Sequence, residues 1–135
     1  MAEHITAQGV HHFRLTVSNV DRAVTFYTGV LGFKKLMDLT PGAFLSNGSV
    51  GLGIGPHPFP DRALKGDRFD ENRIGLDHMS FTVSSRPALD DAVQVLDKHG
   101  IPHSEIKDLG EAFGICILVF RDPDNVQLEL SGPRT

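Results

Sequence analysis

Two six-residue segments of this chain are near copies: His12-Phe13-Arg14-Leu15-Thr16-Val17 and His78-Met79-Ser80-Phe81-Thr82-Val83, 66 residues apart. Each opens on histidine, closes on Thr-Val and alternates a large apolar residue with a polar or small one. Side chains along a strand alternate between faces, so one face of each segment is apolar and the other carries the histidine. The polar faces are His12, Arg14 and Thr16 in the first copy, and His78, Ser80 and Thr82 in the second. A repeated strand with a histidine at one place on its polar face restricts the chain to folds with internal two-fold repetition. It also suggests two matched metal ligands.

The surroundings of the two strands repeat as well. After the first, Ser18-Asn19-Val20-Asp21 is a helix start, with an oxygen-bearing cap and an acid in the first turn. Ala23, Val24, Phe26, Tyr27, Val30 and Leu31 then recur at helical spacing, and Gly32 is the left-handed stop. Strands are expected over 33–39, 43–46 and 49–54. Asn47-Gly48 between the last two reads as a type I′ hairpin turn. In the second half the expected order is a strand over 76–83, a helix over 87–99 stopped by Gly100, and strands over 101–106 and 113–121. Asp122-Pro123-Asp124-Asn125 forms a turn before the last strand, 126–130. The fold class is therefore α+β, two βαβββ modules forming a curled mixed sheet around a cup. One domain over 8–131 is expected: module 1 at about 8–55, a Pro- and Asp-rich connector at about 56–74 that can cover a site, and module 2 at about 75–131.

Composition narrows the function. With 40% hydrophobic residues in 135, the chain can bury a core without cross-links. Cys116 is the one cysteine, so there is no disulfide framework, and its apolar neighbours mark it as a buried small hydrophobe. A net charge of −4, no tryptophan and one tyrosine disfavour nucleic acid as a partner. No apolar run approaches the ~20 residues of a membrane span. The opening Met-Ala-Glu-His-Ile-Thr lacks the basic start and apolar stretch of a secretory signal, and a cytoplasmic location is expected.

Alternation in the last strand puts Val126, Leu128 and Leu130 on the core face, and Gln127, Glu129 and Ser131 on the face of the histidines. The motifs His-Phe-Arg-Leu-Thr-Val, Phe26-Tyr27…Leu31-Gly32-Phe33, Asp77-His78 and Arg121-Asp122-Pro123-Asp124-Asn125-Val126-Gln127-Leu128-Glu129-Leu130 resemble the vicinal oxygen chelate superfamily. That superfamily includes glyoxalase I, extradiol dioxygenases, fosfomycin resistance proteins, methylmalonyl-CoA epimerase and bleomycin resistance proteins. The resemblance runs over nearly the whole chain. It places the family's metal ligands on His12, His78 and Glu129, a two-histidine, one-carboxylate set suited to Fe, Mn, Ni, Co or Zn.

The resemblance implies a divalent-metal enzyme that chelates neighbouring oxygens of a small oxygen-rich substrate, of lyase, isomerase or transferase type. One alternative is a one-domain extradiol dioxygenase using Fe(II); another is a non-catalytic protein that sequesters a small drug-like molecule. A homodimer is also implied. Relatives carry a fourth ligand on the strand that here reads Val50-Gly51-Leu52-Gly53-Ile54. Gly51 and Gly53 face the cup there, which predicts three protein ligands and free room beside the metal.

Three further residues are weaker candidates. Arg14 shares the face of His12 and can bind a substrate anion, or else pair with a neighbouring acid. Glu111 sits on a loop where relatives make substrate contacts, and His57 lies between two prolines of the connector. His11 is expected on the opposite face from His12, as a satisfied or surface residue. His4, His99 and His103 receive no role.

Overall fold

A computed structural model describes residues 3–135, so Met1 and Ala2, at the head of the segment read for a secretory signal, lie outside the described residues. The chain divides into two compact units, 1–61 and 62–135.

The first unit runs β1 (His12–Thr16), α1 (Val20–Gly29), β2 (Lys34–Leu39), β3 (Gly42–Ser46) and β4 (Gly51–Gly55). The strand order is β1-β4-β3-β2, with β1 parallel to β4 and the other pairs antiparallel. Leu15 and Val17 are buried while His12, Arg14 and Thr16 are exposed, as the alternation requires. Helix α1 is capped by Asn19, whose side chain accepts from the Arg22 amide at 2.9 Å. Ala23, Phe26 and Tyr27 form its buried stripe against β2, β3 and β4. Gly32 follows at φ +71°, the left-handed conformation expected of it.

The second unit repeats the order: β5 (Met79–Thr82), α2 (Arg86–Lys98), β6 (Lys107–Asp108), β7 (Ile115–Arg121) and β8 (Gln127–Pro133). Its sheet runs β5-β8-β7-β6, again with one parallel pair, β5 with β8. The core gathers Met79, Leu89, Leu96, Cys116, Leu118, Phe120, Val126, Leu128 and Leu130. Each of the larger side chains contributes roughly 1.5–3 kcal/mol by leaving water. Cys116 is buried as expected. Two four-stranded mixed sheets, each with one helix, are the two βαβββ modules anticipated from the repeat. Among the described residues no helix is long and apolar enough to cross a membrane.

Two local expectations fail for identifiable reasons. A type I′ turn needs positive φ at both Asn47 and Gly48, yet only Gly48 has it, at +92°. The Asn47 side chain instead accepts from the Ser49 and Val50 amides, both at 2.9 Å, closing a longer loop. The strand expected over 101–106 is reduced to an isolated bridge between His103 and Phe120, and the two-residue β6 follows it at Lys107–Asp108. Pro102 has no amide hydrogen to give a ladder. Ser104 then competes with its side chain, accepting from the Val119 amide at 3.0 Å.

His103, given no role above, has a structural one. Its Nδ1 lies 2.6 Å from the Ser104 carbonyl oxygen and its Nε2 2.8 Å from Asp97 Oδ1. Both partners accept, so the ring serves both only as an imidazolium. The Ser104 carbonyl first, and the Asp97 carboxylate second, raise its pKa above the ordinary 6.5. The stabilisation is therefore complete below pH 6.5 and fades as pH rises through the elevated value. Urea midpoints measured from pH 5.5 to 9 should fall more steeply for the wild type than for His103→Gln. Parallel curves would refute the assignment.

Within the connector, Phe69 and Glu71 are clasped to the β7–β8 turn. Arg121 donates from Nη1 to Glu71 Oε1 at 3.1 Å and from Nη2 to Oε2 at 2.5 Å. The Arg121 guanidinium holds the Glu71 carboxyl below the usual range. Asn125 Nδ2 donates to the Phe69 carbonyl at 2.9 Å, and the Phe69 amide to the Asp124 carbonyl at 2.9 Å. Asp122, buried, accepts the Asp124 and Val126 amides on Oδ1. The turn residues thus act structurally, as their sequence context implied.

Candidate functional site

In the second unit, the strand pairing sets Ser80 opposite Glu129 and Met79 opposite Leu128, which puts His78 and Glu129 on one face. His78 Nε2 lies 3.7 Å from Glu129 Oε2. That is too long for a hydrogen bond. It is shorter than the sum of a metal–nitrogen and a metal–oxygen bond, about 4 Å, so a single ion can touch both atoms.

The other nitrogen of His78, Nδ1, lies 2.8 Å from Asp77 Oδ1. Gln127 in turn donates from Nε2 to Asp77 Oδ1 at 2.9 Å and to the Asp77 carbonyl at 3.2 Å. Glu129 is steadied by Ser131, whose hydroxyl donates to Oε1 at 3.2 Å and meets the Ser80 hydroxyl at 2.5 Å. The Glu129 side chain is 14% exposed against 40% for His78, so the carboxylate lies deep and the imidazole at the rim. A sheltered carboxylate with one oxygen hydrogen-bonded and the other turned to an imidazole nitrogen 3.7 Å away suits a divalent cation.

His12 holds the equivalent place in the first unit, with its strand in register so that Gly51 lies opposite. The site residues read from the sequence are brought together in part. His78 and Glu129 meet, whereas among the described residues no group of three or more His, Cys, Asp or Glu is gathered in one place.

Part of the room expected beside His12 is filled. Gly51 does share the histidine's face, since a Cβ there would lie 3.1 Å from the His12 Cβ. That Cβ would also run into the Phe44 ring, which occupies the space instead. The Phe44 ring stands edge-on to the His12 imidazole, with centroids 6.1 Å apart. Gly53 and Gly55 are likewise covered, by the Arg14 side chain. Missing side chains on β4 therefore make room for the Phe44 and Arg14 side chains.

Arg14 is exposed and has no hydrogen-bonded or ion-paired acid among the described residues. The pairing with a neighbouring acid weighed from the sequence is not formed. Glu111 is exposed on the loop before β7, and His57 is half-buried two residues past β4. Tyr27 is fully buried under α1. The sequence reading gave Asp77 only a place in a motif and expected His11 on the face opposite His12, whereas each touches the histidine that follows it. His11 Nδ1 lies 2.8 Å from His12 Nδ1, although neighbours in a strand should point apart. The signal available was position: each immediately precedes a candidate ligand.

A cavity of about 460 Å³ in the first unit is lined by Val10, His11, Leu36, Phe44, Val50 and Gly51, among others.

A family model described as the glyoxalase/bleomycin resistance protein/dioxygenase superfamily matches residues 9–130. An uncharacterized protein of Bacillus subtilis (strain 168), YwkD, is 32% identical over 130 residues, covering 91% of this chain and 95% of that one. A crystal structure of a glyoxylase/bleomycin resistance protein/dioxygenase domain from Frankia sp. EAN1pec is similar with a TM-score of 0.80. It is 34% identical and covers 96% of this chain and 94% of its own. The structure of SMU.1112c is similar with a TM-score of 0.73 at 28% identity, covering 93% of this chain and 99% of its own.

Proposed function

The chain belongs to the glyoxalase/bleomycin resistance protein/dioxygenase superfamily, and from that premise we propose that it is a cytoplasmic, homodimeric, divalent-metal-dependent enzyme acting on a small oxygen-rich molecule by bidentate chelation. The observation that carries the proposal is the His78–Glu129 pair: 3.7 Å apart, one partner sheltered, the other oriented by a carboxylate. His12, from the repeated strand, is the third ligand. A divalent ion held there would supply Lewis acidity to two neighbouring substrate oxygens, as suits a lyase, isomerase or transferase.

The chain's own residues do the rest. Asp77 and Ser131 keep His78 and Glu129 aimed. Arg14, a planar fork two residues from His12 on the same face, binds a carboxylate or phosphate of the substrate. Glu111 and His57 are the remaining candidates for proton transfer, each on a segment outside the sheets. The buried Tyr27 is out of reach of a substrate, which lowers the case for an extradiol dioxygenase with a tyrosine acid.

Metal analysis of protein purified without added metal, followed by titration with Fe(II), Mn(II), Ni(II), Co(II) and Zn(II), tests the proposal. One ion per chain, carried or acquired, is expected. A protein that neither carries nor takes up any of them is not a metal enzyme. Oxygen uptake with catechols by the Fe(II) form would move the reaction to dioxygenation.

A second reading, capture of a small molecule without turnover, draws support from the cavity, whose walls combine Val10, Leu36, Phe44 and Val50 with the polar Gln8, His11, Ser46 and Ser49.

A further inference from the structure

In both modules the residue just ahead of the candidate ligand histidine touches that histidine at Nδ1, and at the same distance. Asp77 Oδ1 is 2.8 Å from His78 Nδ1, and His11 Nδ1 is 2.8 Å from His12 Nδ1. Consecutive side chains in a regular strand cannot meet in this way. They can here because both pairs sit at a strand mouth: β1 begins at His12 and β5 at Met79. The chain is anchored beside each pair. The His11 carbonyl accepts the Gly51 amide at 3.0 Å, and Gln127 holds Asp77 by its carboxylate and its carbonyl.

We propose that Asp77 and His11 are positioning residues, each holding the following histidine in the Nδ1–H tautomer so that Nε2 is left bare for a metal ion. The inference rests on the metal reading above and adds to it the groups that prepare the two imidazoles. For His78 the chemistry is direct. An ionised carboxylate only accepts, so the proton between it and the ring belongs to Nδ1. The lone pair of Nε2 then faces the Glu129 carboxylate across 3.7 Å. Two electron-rich atoms held face to face at that distance make a place for a cation. For His12 the partner is a second imidazole, which accepts on Nδ1 when its own proton is on Nε2.

The two devices are unequal. A hydrogen bond to a charged acceptor is roughly twice as strong as one between neutral groups. Asp77 therefore fixes its ring more firmly than His11 does, and also raises the ring's basicity toward metal. Both are exposed side chains, so their replacement leaves the core intact.

Two measurements on the full-length protein test this. Imidazole ¹⁵N spectra of the metal-free protein at pH 8 should show Nδ1–H tautomers for His12 and His78. Asp77→Ala should convert His78 alone to Nε2–H, His11→Ala should convert His12 alone, and Asp77→Asn, whose Oδ1 still accepts, should leave His78 as in the wild type. Calorimetric titration with Zn(II) and Mn(II) should then show affinity about 10–100-fold weaker in Asp77→Ala, with a smaller loss in His11→Ala and in Asp77→Asn. Wild-type rings already in the Nε2–H form, or rings unmoved by the alanine variants, overturn the positioning roles. Expected tautomers in a wild-type protein that binds neither ion overturn the metal reading instead.

Discussion

Replacing His78 by alanine should abolish stoichiometric metal binding. The side chain is 40% exposed and its removal opens no core cavity, so far-ultraviolet circular dichroism and the urea midpoint should stay near wild type. What disappears is a proposed ligand, the imidazole held between Asp77 and Glu129. Loss of an outer hydrogen-bond partner already costs about 10–100-fold in metal affinity, and loss of the ligand itself should exceed that. Metal content after exhaustive dialysis, measured beside the wild type, is the direct readout. A His78→Ala protein that keeps its full complement would place the ion elsewhere in the chain. A wild type that holds an ion only while His12 is present would extend the assignment to the first module.

Leu128→Ala should cost about 2–5 kcal/mol of folding stability, the range for emptying a packed leucine site. Leu128 is fully buried on β8, paired with Met79 of β5 on one side and Phe120 of β7 on the other. Strand pairing on both flanks leaves little freedom for the site to collapse around the missing atoms. The adjacent Glu129 makes this more than a stability test. Its orientation on the opposite face depends on β8 holding register, so metal affinity should fall along with the urea midpoint. A change under 1 kcal/mol would mean that the inner face of this sheet is loosely packed and does not set the carboxylate's position.

The parts of the fold that were legible in the sequence are those governed by local period. Alternation in 12–17, 78–83 and 126–131 placed the apolar and polar faces correctly, and residue type alone marked a cap at Ser18 or Asn19, where the structure chooses Asn19, and stops at Gly32 and Gly100. Legibility ended where a side chain competed with the backbone. Asn47 closed its loop with two side-chain hydrogen bonds, and Ser104 displaced a strand that looked continuous. Nothing in residue identity ranks such a bond against a turn or a ladder, because the two differ by about 1 kcal/mol.

The candidate site divides along the same line. His12, His78 and Glu129 were named from the repeat and from the family it resembles, and Gly51 or Gly53 was taken as the place where relatives carry a ligand. Phe44 reaches across from β3 into the space over Gly51, and both residues line the cavity of the first unit. Arg14, weighed as half of an ion pair, lies along Gly53 and Gly55 with no acid beside it among the described residues.

By itself, then, the sequence determined two βαβββ modules and the face on which each histidine stands, because side-chain alternation and helix capping act between residues a few positions apart. Only the tertiary structure decided that Asp77 and Gln127, 50 residues apart, steady His78, and that Glu71 clasps Arg121 across the same separation. Those contacts depend on strand register and on how the chain enters each strand. Register is set by the packing of whole faces against one another, and no short motif encodes it.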